Sequence, residues 1–135
     1  DLLLRDVIRE RLEGPDQPRL FRQGYDRWIP RPKLQGVESK GLGLTLFQTL
    51  RRSGLPVIEL KAETDKVIRA LPIMARMEAG TVYFLRNAPW LEEYEAELLY
   101  FPNGQHDDQV DMTSYAGIVI AGRTYRGVLD KPKGW

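Results

Sequence analysis

The sequence predicts an α/β domain, and three observations carry that expectation. A short strand, a short helix and a second short strand follow one another within residues 34–60. That is the spacing of a βαβ unit, which calls for a parallel strand pair. Strand-like and helix-like stretches keep alternating beyond it, as far as a helix beginning near Asp107. The length, 135 residues, suits one domain with one core, and a hydrophobic fraction of 42% is near the globular norm.

In chain order, Leu2-Leu3-Leu4-Arg5-Asp6-Val7-Ile8-Arg9 is a short apolar run of mixed pattern, read as a strand. It starts abruptly, with no Met and no leader, as expected of a chain that begins inside a domain and whose first strand lacks a neighbour. Gly14-Pro15-Asp16 is a break and a helix cap. Leu20, Phe21, Tyr25 and Trp28 then fit one helical face, which Pro30 and Pro32 end. Leu34-Gln35-Gly36-Val37-Glu38 reads as a strand, and Ser39-Lys40-Gly41-Leu42-Gly43 as a tight turn. A helix over residues 44–52, closed by Gly54, leads to the strand Val57-Ile58-Glu59-Leu60.

Thr64 or Asp65 can cap the next helix, which carries Val67, Ile68, Leu71, Met74, Ala75 and Glu78 and ends at Gly80. Pro72 should kink or interrupt it. Thr81-Val82-Tyr83-Phe84-Leu85 is a strand of good β-formers. Ala88-Pro89-Trp90 opens a helix with Leu91, Tyr94, Leu98 and Leu99 on its buried side. Its Glu92, Glu93, Glu95 and Glu97 read mostly as a solvated face, near a helix start whose dipole suits acids. The expected division is a domain over residues 1–122 and a tail over 123–135. That tail has no clear period and several basic residues, and is expected to be disordered or built for a neighbour.

Twenty Lys and Arg against nineteen Asp and Glu leave the chain almost neutral, so any nucleic-acid site must be local. The absence of Cys excludes disulfides and thiolate metal sites. No apolar run approaches membrane-spanning length and no secretory signal opens the chain, so the expected state is soluble and intracellular.

The most informative stretch is residues 101–116. Pro102, Asn103 and Gly104 form a turn, and Met112, Tyr115, Ala116 and Val119 then recur at helical spacing. Asp107 or Asp108 falls at the N-cap or first turn, where backbone N–H groups favour an anion. Three carboxylates and the only His of the chain lie within six residues. At about 100° per residue, Asp108 falls within the stripe of Met112, Tyr115 and Val119, and so is expected to point into the domain. Asp111 falls to one side of that stripe and Asp107 further off. Clustered carboxylates there would repel or take up protons unless a cation balanced them. Hard cations such as Mg²⁺ or Mn²⁺ take such oxygen ligands. The bland alternative is a capped, solvated helix start with surface acids.

Glu38 stands out second. It ends a strand before a glycine-containing turn into a helix, and ligands of open α/β sheets gather at the carboxyl ends of strands. The plainer reading is a lone acid paired with Lys40.

Three blocks of the chain resemble the nuclease domain of tailed-phage terminase large subunits. Gly36-Val37-Glu38-Ser39-Lys40-Gly41 looks like its strand and turn. Asp65-Lys66-Val67-Ile68-Arg69-Ala70-Leu71-Pro72, followed by Glu78-Ala79-Gly80-Thr81-Val82-Tyr83-Phe84, is similar to the next block. Glu97-Leu98-Leu99-Tyr100-Phe101-Pro102 with His106-Asp107-Asp108-Gln109-Val110-Asp111 looks like the third, and order and spacing agree over roughly residues 1–121.

The resemblance implies a ribonuclease H-like fold, a mixed central sheet flanked by helices. It also implies an endonuclease dependent on Mg²⁺ or Mn²⁺ that cuts concatemeric viral double-stranded DNA during genome packaging in the bacterial cytoplasm. The implied partners are an ATPase motor domain, a small terminase subunit and a portal protein. No phosphate-binding loop is present, because Gly41-Leu42-Gly43-Leu44-Thr45 lacks the Lys-Ser/Thr ending. The family's first catalytic Asp, on a strand preceding Leu2, has no counterpart, and Asp6 falls on the following strand. The carried-over catalytic residues are Glu38, Asp107 and Asp108, with Glu38, Asp107, Asp108 and His106 as metal ligands. Asp111 is the weakest candidate, and Lys40, Lys66 and Arg69 are candidates to meet DNA phosphates or to play ordinary capping roles. With that site incomplete, the chain alone is expected to cut weakly or not at all. The alternative function is a non-catalytic remnant or interaction fragment of a packaging protein.

Overall fold

The structure, a computed structural model, describes residues 1–129. Length alone led to one core, but the contacts gather into two units: residues 9–63, and residues 1–8 together with 64 onward.

The unit of residues 9–63 is built from sequence neighbours. One turn of 3₁₀ helix at Gly14–Asp16 leads into α1 (Gln17–Arg27). β2 (Gln35–Glu38), α2 (Gly43–Arg52) and β3 (Val57–Leu60) follow. β2 and β3 are parallel, with Gln35 opposite Val57 and Glu38 opposite Leu60, as the βαβ spacing required. The Ser39 N–H donates to the Leu60 carbonyl at 3.1 Å and extends this ladder to the end of β2. Val37, Leu50 and Leu55 are buried between the layers, and Phe21, Tyr25, Leu46, Phe47 and Val57 pack around them. Gln35 Nε2 donates to the Phe21 carbonyl at 3.0 Å, tying α1 to β2. The turn after Glu38 is tight enough that a Cβ on Gly43 would collide with the Glu38 carbonyl oxygen. Only glycine lets α2 begin so close to that strand end.

The second unit joins elements distant in sequence. β1 (Leu2–Leu4) runs parallel to β4 (Val82–Phe84), with Leu2 opposite Val82. α3 (Lys66–Glu78), α4 (Leu91–Tyr100) and α5 (Asp108–Leu129) complete it. Asp65 caps α3, its Oδ2 accepting the Val67 N–H at 3.1 Å. Phe84 and Trp90 pack their rings against the buried Tyr94, at 5.4 and 5.9 Å between centroids. The Tyr94 hydroxyl shares a 2.8 Å hydrogen bond with Thr113, and burial raises its phenol pKa above the ordinary value. α5 lies along α3 so closely that a Cβ on Gly117 would come 3.0 Å from the Ile73 Cβ.

Several expectations are corrected here. The four strands form two separate parallel pairs among the described residues, rather than one mixed central sheet. Each strand is only three or four residues long and makes a single ladder. α3 passes through Pro72 without a break. The carbonyl that loses its donor there belongs to Ile68, on the exposed side of the helix where water can satisfy it. α5 does not stop at Gly122 but continues to Leu129, since one glycine costs a helix only about 1 kcal/mol. The rest of the expected tail, residues 130–135, lies outside the described residues.

The buried faces of the helices also differ from the most apolar stripes. Ile68, Leu71 and Met74 of α3 are exposed, while Arg69, Ala70 and Ile73 are buried. Leu99 of α4 is exposed. On α5 the buried face runs through Val110, Ser114 and Gly117, with Tyr115 beside it, and Met112 is exposed. Small residues let α5 approach α3 closely, yet they carry little hydropathy signal. No helix among the described residues is long and apolar enough to cross a membrane.

Candidate functional site

The acid-rich start of α5 is held from two sides. Lys66 and Arg69 lie one turn apart on α3, and Asp107 and Asp111 are one turn apart at the beginning of α5. Lys66 Nζ donates to Asp107 Oδ2 at 2.8 Å and to the Pro102 carbonyl at 3.3 Å. Arg69 Nη2 donates to Asp111 Oδ1 at 2.9 Å, and Nη1 to the Thr64 carbonyl at 2.6 Å. The Arg69 guanidinium also sits 5.0 Å from the Tyr115 ring centre. The numbers rise together along both helices, from Lys66 with Asp107 to Ile73 with Gly117, so α3 and α5 run in the same direction.

From α4 comes a third acid. Glu97 is buried, and its Oε1 accepts the Gln109 N–H at 2.7 Å and the Val110 N–H at 3.1 Å. Its Oε2 accepts from Gln109 Nε2. The first-turn donors of α5, expected to be capped by Asp107 or Asp108, are taken by a carboxylate from another helix. Glu97, expected with Glu92, Glu93 and Glu95 on a mostly solvated face, is instead buried. The signal available was its spacing: Glu97 is three residues after Tyr94, so both fall on one side of α4, and both are buried.

Asp108 is exposed rather than turned into the domain, and His106 is exposed beside it. Asp107 and Asp111 are half-buried. The Asp107 carboxylate, by its hydrogen bond first and its charge second, holds the Lys66 ammonium above the usual lysine pKa. Arg69, expected to meet phosphate, is buried and committed to Asp111, Thr64 and Tyr115. Lys66 is partly exposed but engaged by Asp107. Glu38 is half-buried at the end of β2, and Lys40 is exposed in the turn after it. Glu38 belongs to the unit of residues 9–63, and Asp107, Asp108 and His106 to the other.

Chemically, the start of α5 presents an exposed carboxylate, a second carboxylate with one oxygen engaged, and an imidazole. Oxygen donors of this kind fit one hard divalent cation whose shell water completes. Among the described residues, no three His, Asp or Glu side chains gather closely enough to hold a metal ion on their own.

No curated protein and no solved structure matches the chain. A sequence model of the terminase RNaseH-like domain, however, matches residues 25–118. That span is well over half of the chain and takes in Glu38, the Lys66 and Arg69 turn of α3, buried Glu97 and all three acids of α5. With all these residues inside the matched span, this chain belongs to the terminase RNaseH-like domain family.

Proposed function

We propose that this domain is a divalent-metal-dependent endonuclease that cuts concatemeric viral double-stranded DNA during genome packaging in the bacterial cytoplasm. The observation that carries the reading is the family match over residues 25–118, which takes in Glu38 and the α5 start where Asp108 stands exposed. A bound Mg²⁺ or Mn²⁺ supplies an activated water and neutralises the leaving oxygen of the phosphodiester. Glu38, in the unit of residues 9–63, and Asp108, in the other, would each serve as a ligand, and Asp107 and His106, near Asp108 in sequence, are the further candidates. Lys66 fixes the Asp107 carboxylate, and His106 is placed to hold or pass a proton. Lys40, exposed after Glu38, is the cation best placed to meet a phosphate, whereas Arg69 serves the fold. The partners in this reading are double-stranded DNA, an ATPase motor domain, a small terminase subunit and a portal protein.

A second reading is a non-catalytic packaging fragment. It is favoured by one observation, that Asp107 and Asp111 already have cations of the chain beside them.

Nicking and linearisation of plasmid DNA, with and without chelator, decides between them. The 135-residue chain is expected to cut weakly at best. Two ions about 3.5–4 Å apart need more carboxylates than Glu38, Asp107 and Asp108 provide. A version extended at its N terminus by a further acidic strand should cut with Mg²⁺ or Mn²⁺. In it Glu38→Gln and Asp108→Asn should each abolish cleavage, and Asp111→Asn should do less. An extended version that is inert with either metal, or that cuts in the presence of chelator, overturns the proposal in favour of the second reading.

A further inference from the structure

We infer that Glu97 is a positioning residue, the group that sets where Asp108 stands. The inference rests on the nuclease reading above. Three observations carry it. Glu97 is buried, yet its side-chain hydrogen bonds all run to the first turn of α5. The two backbone donors it holds belong to Gln109 and Val110, the residues immediately after Asp108. Gln109, which also gives it a side-chain bond, is itself buried.

The physical consequence is a fixed helix start. Without Glu97, two first-turn N–H groups would be buried and unpaired, and the turn would fray or rotate to reach water. Asp108 has no hydrogen-bond partner of its own among the described residues, so its position follows the turn that carries it. Asp107 is anchored separately, by Lys66 from α3. α4 therefore holds one side of the acid pair and α3 the other. Supporting residues of this kind tune a metal site without touching the metal.

Glutamine at position 97 is the informative substitution. Gln109 Oε1 is buried and without a hydrogen-bond partner among the described residues. In Glu97→Gln, a half-turn of the Gln109 side-chain amide lets the new Nε2 donate to Gln109 Oε1 while the new amide oxygen keeps the Gln109 and Val110 N–H groups. Glu97→Leu keeps the bulk and removes every acceptor. Glu97→Asp keeps the charge but withdraws it by one methylene.

The test titrates Mn²⁺ alone into the chain, followed by electron paramagnetic resonance, with thermal melts to confirm folding. Glu97→Leu should weaken Mn²⁺ binding about tenfold or more. Glu97→Asp should weaken it by less, and Glu97→Gln should bind close to wild type. If Glu97→Leu does not fold, Glu97→Asp carries the test. In a cleaving, extended version, Glu97→Asp should lower kcat and leave KM for plasmid DNA unchanged. Folded Leu or Asp variants that bind Mn²⁺ as tightly as wild type would overturn the role of Glu97, and so would a Gln variant as weak as Leu. A wild-type chain that binds no Mn²⁺ would instead refute the nuclease reading itself, and the positioning role with it.

Discussion

The two units are held together by different physics. In residues 9–63 the core is apolar and local: Val37, Leu50 and Leu55 meet across a β2–α2–β3 stretch of fewer than thirty residues. Its ion pairs, such as Arg22 with Asp26 at 3.5 Å, are exposed and lie at its surface. In the other unit, α3 and α5 are joined across more than forty residues of sequence by Arg69 with Asp111 and Lys66 with Asp107. The interior there is partly polar, with Arg69, Glu97, Gln109 and Ser114 all buried. The first unit buries what is apolar. The second buries charges that find specific partners, and those partners surround the candidate site.

The sharpest way to break this comparison is to remove a buried charge. Arg69→Ala should cost about 3–5 kcal/mol in urea unfolding, because Asp111 loses its partner and the Thr64 carbonyl its donor. Arg22→Ala, at an exposed pair, should change little. Equal effects at both positions would show that the charges of the two units play the same part.

Leu50→Ala tests the apolar side. Leu50 is 1% exposed, and its truncation should cost about 3 kcal/mol, read as a lowered urea midpoint. A value under 1 kcal/mol would mean that the local core contributes less than its burial implies.

Gly117→Val is expected to be milder, at about 2 kcal/mol. It forces α5 away from Ile73 rather than emptying a space. Amide hydrogen exchange should rise along α3 and α5 and stay unchanged in α2; a change centred on α2 would contradict the assignment of that contact.

The smallest effect concerns pH. The folded-state pKa of Lys66 is raised above 10.5, so the stabilisation from its bond to Asp107 is complete below that value. It is lost as pH rises through the raised value. Asp107→Asn should therefore flatten part of the alkaline fall in melting temperature above pH 10.5, relative to wild type. Identical alkaline limbs would show that Lys66 titrates without regard to Asp107.

Sequence alone determined the local elements and the chemistry on offer. The βαβ unit, its parallel pairing, a cap at Thr64 or Asp65 and the onset of α5 near Asp107 all follow from short-range rules: spacing, capping and turn residues. Three blocks were also enough to identify the family, because they carry types and spacings of residues rather than contacts. Only the tertiary structure decided which stripe of each helix is buried and whom each charge meets. Ser114 and Gly117 line the contact with α3 because they are small, a property that hydropathy does not weigh. Glu97 reads as surface on its own helix and becomes a buried cap only once α5 begins beside it. A carboxylate's role depends on the donors that reach it, and those arrive from segments that no local pattern connects.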